Sequence, residues 1–129
     1  MTMGYSGDLK PVILAMGTAV VSGAEVTITS GTEICIARVV KPILFVKIGT
    51  AVSTGTGIVV TYACRIAELP AVATTTTTAT IPLTVVDGIA YGMLAVTSDY
   101  STMRVTKVKN YTSKSISSYV VGVTGLIDY

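Results

Sequence analysis

Fifty-two of the 129 residues are Val, Ile or Thr, and that fraction constrains the fold more than any single motif. β-branched side chains are stiff at χ1 and pack well on a pleated surface, so they favour strands over helices. Only seven Leu are present, too few for a helical bundle or coiled coil. The β-branched runs are short and are separated by Gly, Ser, Asp and Pro, which is the pattern of an all-β chain. The length is that of one domain able to bury a core without disulfides.

The runs predict about eight to ten short strands and no helix. Residues 11 to 16 form the first, and residues 1 to 10 are read as an N-terminal arm. In Glu25 to Thr29, Val26 and Ile28 share one face. Glu33 to Val40 is read as a strand interrupted at Lys41-Pro42, since Pro donates no ladder hydrogen bond. In Ile43 to Ile48, Leu44, Val46 and Ile48 share a face opposite Lys47. Gly49 to Gly57 is read as a loop. In Ile58 to Ala67, Ile58, Val60, Tyr62, Cys64 and Ile66 share a face opposite Thr61 and Arg65.

Leu69 to Thr80, with five consecutive Thr, is read as a connection or exposed edge strand, or as an arm joining a neighbouring subunit's sheet. Ile81 to Val86 and Ile89 to Thr97 flank Asp87-Gly88, a strong two-residue hairpin signal. Ser98 to Thr102 is a turn before Met103 to Asn110, and Tyr119 to Ile127 is the last strand. The expected fold is a single-domain antiparallel β-sandwich of jelly-roll type spanning residues 11 to 129, with a closed β-barrel as the alternative.

Chemistry is hard to place on this chain. No His is present, which removes Ser-His and Cys-His nucleophiles and His-ligated metals. Nothing points to a Ser-Lys pair. Asp87 is followed directly by Gly, unlike the Asp-Thr/Ser-Gly of aspartic proteases. Thr54-Gly55-Thr56-Gly57 lacks the Lys and helix of a phosphate loop. The chain is therefore expected to be no enzyme, with no cofactor and no small-molecule substrate.

Three weaker signals remain. Arg104, Lys107, Lys109 and Lys114 form the one basic cluster, a candidate contact for nucleic acid or an anionic lipid surface. The alternative is a solvated strand face that discourages edge pairing. Alternation places Lys107 and Lys109 on the face of Met103 and Val105, with Arg104 opposite. Asn110-Tyr111-Thr112 fits the N-glycosylation pattern, and Asn110 is the only Asn. Cys35 and Cys64 are expected as buried thiols rather than a disulfide. In a simple meander over residues 33 to 66 they would flank the middle strand, nearly 10 Å apart. A bridge would require a change of sheets near Lys41-Pro42.

Only 12% of residues are charged and half are hydrophobic. Much of the exterior must then be Thr, Ser, Gly, Ala and aliphatic, a surface poorly protected against association. The uncharged stretches are too short, or too rich in Gly, Thr and Pro, for a spanning helix. Eight aromatic residues are too few for the girdles of a membrane barrel. Val12 to Val21 ahead of Ser22-Gly23-Ala24 has the outline of a secretory signal, but Asp8 offsets Lys10, and the segment is read as a mature strand.

The stretch Val86-Asp87-Gly88-Ile89-Ala90-Tyr91-Gly92-Met93-Leu94-Ala95 resembles a segment of tailed-phage head decoration proteins. The likeness covers one hairpin and carries no site residue across. The expectation is a structural subunit that assembles with copies of itself, first as a virion coat, tail or decoration protein beside other virion proteins. A cell-surface filament or sheath subunit comes second, and a monomeric sandwich module binding carbohydrate or protein comes third. The near absence of Asn and Gln suits a heat-stable protein.

Overall fold

Ten strands follow one another along the chain: β1 (Ser6–Gly17), β2 (Glu25–Thr27), β3 (Ile34–Cys35), β4 (Ile43–Ile48), β5 (Gly57–Arg65), β6 (Thr75–Pro82), β7 (Thr84–Val86), β8 (Ile89–Ala95), β9 (Thr102–Asn110) and β10 (Tyr119–Asp128). The structure, a computed structural model, describes residues 6–29, 31–36, 39, 41–49, 57–66, 75–87, 89–96, 102–112 and 114–128, with the backbone alone at 6–10 and 126–128. No described residue is helical.

The strands form two antiparallel sheets. Sheet I has the order β1-β10-β4-β8-β7, and sheet II the order β2-β9-β5-β6, with β3 also on β9. Four pairs are nested one inside the next: β1 with β10, β2 with β9, β4 with β8 and β5 with β6. That nesting is a long hairpin rolled into two layers, which is the jelly-roll topology. The sheets stay separate, so the barrel alternative is set aside. The core lies between them. Leu14, Leu44, Val46, Ile58, Val60, Ile81, Leu83, Met103, Val105, Val108, Ile116 and Val121 are almost wholly buried there.

Alternation explains which residues reach that core. On β4, Leu44, Val46 and Ile48 point inward while Lys47 is exposed. On β5, Ile58, Val60, Tyr62 and Cys64 point inward as expected, but the strand ends at Arg65 and Ile66 is exposed. Asp87-Gly88 joins β7 to β8 through the pair Val86↔Ile89, and Asp87 takes the left-handed φ of +53° suited to this turn.

The structure departs from the sequence reading at the sheet crossings. The stretch 81–86 is two strands, not one, because the chain leaves sheet II after β6 and enters sheet I at β7. Pro82 cannot donate to a ladder, and Leu83 is buried at the corner. A Cβ at Gly92 on β8 would overlap the Pro82 carbonyl, so only Gly admits this close approach.

Another crossing lies between β3 and β4, at buried Pro42, whose carbonyl accepts from Val96 N at 2.9 Å. The meander over residues 33 to 66 therefore does not form, and within the strand proposed for 33 to 40 the described residues show β3 at Ile34–Cys35, with residues 37, 38 and 40 outside the described residues. The boundary drawn after residue 10 also falls inside a strand, since Ser6 to Leu9 pair with Asp128 to Gly125. The Thr-rich stretch is the exposed edge strand β6 over residues 75 to 82. The proposed features over 50–56, 69–74 and 98–101 lie outside the described residues.

Candidate interaction surfaces

Asn110 closes β9 and is fully buried. Its Nδ2 donates to the carbonyls of Val20 at 3.0 Å and Lys114 at 2.8 Å. Its Oδ1 accepts from Thr112 N at 2.9 Å and Thr112 Oγ1 at 2.6 Å. Its backbone N donates to Ala24 O at 3.0 Å, and its carbonyl accepts from Gly23 N at 2.8 Å. Every polar group of the residue is thus satisfied. The side chain ties the turn after β9 to the segment before β2. A glycan on Nδ2 is incompatible with this packing, because both amide hydrogens are engaged in the interior. The acceptor pattern here is a structural knot, and its one sequence signal is the isolation of a single Asn at a strand end.

The basic residues sit differently from the alternation estimate. Tyr62 pairs with Val105 but Thr61 pairs with Lys107, so Thr106 is an extra residue in β9. This β-bulge resets the alternation. Met103, Val105, Val108 and Asn110 all point inward, and Arg104, Lys107 and Lys109 fall together on the outer face of sheet II. The bulge is held by Thr106 Oγ1 donating to Thr61 O at 3.2 Å and by Ile28 N donating to Thr106 O at 2.7 Å.

Around these cations the outer face carries Thr27, Thr61, Thr76, Thr78 and Thr80, by register. Lys107 Nζ lies 3.9 Å from Glu25, and Lys109 Nζ lies 4.8 Å from the Tyr111 ring centre. Lys114 stands in the turn beyond the strand and is exposed.

One end of the same sheet holds an ion pair that the sequence did not announce. Arg65 Nε and Nη2 each donate to Glu33 at 2.8 Å, a two-point clamp, and Thr102 Oγ1 donates to Arg65 O at 3.0 Å. The Arg65 hydrogen bond holds the Glu33 carboxyl below the usual carboxylate range. The partners lie 32 positions apart, beyond any local pattern. Cys35 is exposed, contrary to the expectation of two buried thiols, and Cys64 is buried. They lie on either side of β9, opposite Thr102 and Met103, and no disulfide joins them. Burial pushes the hydroxyls of Tyr62 and Tyr119 above the ordinary tyrosine range.

The outer face of sheet I has the opposite character. Its strands β4, β7 and β8 carry a single charged residue, Lys47. Met93 is 62% exposed and Ile89 45%, and Val86, Tyr91 and Ile13 are also exposed. The Phe45 ring lies across Gly122, where a Cβ would overlap it. Phe45, Tyr91, Met93 and Pro11 line an open apolar depression of about 470 Å³. Alternation dictates that face: with Leu44, Val46 and Ile48 inward, Ile43, Phe45 and Lys47 must point out.

Among the described residues, no group of three or more His, Cys, Asp or Glu side chains stands close enough to hold a metal. No helix long and apolar enough to cross a membrane is present among the described residues. The fold and faces define an antiparallel jelly-roll sandwich with one apolar and one Thr-rich, basic outer face. Comparison of the chain with protein families, curated proteins and solved structures finds no match.

Proposed function

We propose that this protein is a structural subunit that assembles with copies of itself, with a virion coat, tail or decoration protein as the leading form. The observation that carries the reading is the outer face of sheet I. Large apolar side chains such as Met93, Ile89 and Val86 stand in water there, and Lys47 is the single charged residue of β4, β7 and β8. A contiguous apolar patch of that kind marks an interface. Jelly rolls serve viral capsids, but also lectins and cupins, so the topology supports the virion form by analogy only. The alignment of Arg104, Lys107 and Lys109 on sheet II supports an anionic contact on the other side of the subunit, and its binding would weaken steeply with salt.

Light scattering on the purified chain tests the reading. The expected mass is many times 13.3 kDa and rises with concentration. A monomer at millimolar concentration overturns it.

A further inference from the structure

We propose that β6 is the assembly edge of sheet II and pairs antiparallel, across a two-fold axis, with β6 of a second copy. The proposal rests on the self-assembly reading and names the contact that reading leaves open.

The argument starts from how each sheet edge is guarded. Exposed edges invite foreign strands, and proteins protect them with charge, Pro, bulges or shortness. β1, the long edge of sheet I, carries Asp8, Lys10 and Pro11 and two register shifts against β10. β7 and β2 are three residues each, and β3 is two. β6 has none of these protections. It runs eight residues with eight consecutive pairs to β5, carries no charge, and meets Pro only at its end. Among the described residues no strand covers its far side. The open edge that another copy can offer is therefore β6 itself, which makes the contact isologous.

The ladder shows which groups are available. Tyr111 N donates to Gly57 O, so Gly57 turns its backbone toward β9 and away from β6. Gly57↔Pro82 is then a non-hydrogen-bonded pair, and Thr80, Thr78 and Thr76 direct their backbone groups outward. Three N–H donors thus stand in a row with no ladder duty to β5. The Thr hydroxyls keep this edge hydrated in a single subunit, while Thr-Thr pairs across the axis favour a strand. Charge does not oppose the join. Arg104 and Lys107 sit two strands back on β9, about 24 Å from their mates across the axis at ~4.8 Å per strand, where salt screens them. A two-fold edge contact closes on itself, so a polymer needs a second contact, which the apolar face of sheet I supplies.

Thr78→Pro tests the edge. It removes an outward N–H and spares the β5 ladder, so circular dichroism should stay β-rich while the scattering mass falls from the polymer to a closed pair. Backbone amides of Thr76, Thr78 and Thr80 should exchange slowly in the parent assembly and rapidly in the variant. If Thr78→Pro loses its β-rich spectrum, Thr78→Lys takes its place with the same readings. A folded variant that assembles as the parent does, or fast exchange at these amides in the assembly, overturns the edge contact while self-assembly stands. A parent that stays monomeric removes both.

Discussion

Removing the Asn110 side chain would strand the buried Thr112 amide, whose acceptor is Asn110 Oδ1, while the Val20 and Lys114 carbonyls keep Ile116 N and Thr112 Oγ1 as donors. An unmet buried polar group costs about 1–3 kcal/mol. Asn110→Ala should therefore lower stability by about 1–3 kcal/mol in chemical denaturation. A loss below about 0.5 kcal/mol would mean that water replaces the amide. Glu33 gives a pH signature. Its carboxyl titrates below its ordinary value because Arg65 holds the charged form. Its contribution is therefore complete above the unfolded carboxylate pKa and is lost as pH falls through the lower folded value. Glu33→Gln should flatten the acid limb of a melting-temperature profile. An unaltered acid limb would show that the pair does not stabilise the fold. Neither role could be read from sequence: the Asn motif suggested modification, and the Glu33–Arg65 pair exists only once β3 and β5 flank β9.

Between residues and the whole, the elements show what local pattern conveys and what it hides. β4 and the Asp87-Gly88 hairpin follow directly from alternation and turn chemistry. The sheet crossings do not, because 81–86 is one uninterrupted β-propensity run apart from Pro82, and only tertiary packing at Leu83 splits it. The bulge at Thr106 was hidden for the same reason, since Thr is an ordinary strand residue. Its consequence is testable. Deleting Thr106 would remove the bulge, and strict alternation would then keep Val108 and Asn110 inward with Lys107 and Lys109 outward. The deletion variant should keep a cooperative unfolding transition, losing only the two hydrogen bonds that Thr106 makes to Thr61 and Ile28; loss of the transition would show that the ladder needs the extra residue. At the turn, Asp87 holds a φ of +53°. Asp87→Val should cost about 1–2 kcal/mol, because β-branched residues resist that region, whereas Asp87→Gly should be tolerated. Equal stabilities for the two variants would place the turn's strain at another residue.

For the molecule as a whole, composition foretold the low-charge exterior but not its division. Counting residues cannot say that the apolar part gathers on one sheet and the Thr and basic part on the other. That division arises because one alternating strand set fixes the other face of each sheet once the core is chosen. It makes the subunit two-sided, and self-assembly through the apolar side is the central claim. The most direct measurement compares Met93→Glu on the sheet I face with Thr61→Glu on the sheet II face, by light scattering at matched concentration and with circular dichroism confirming the fold. The account predicts that the Met93 variant drops to small units while the Thr61 variant assembles as the parent does. Equal masses for the Met93 variant and the parent would contradict it.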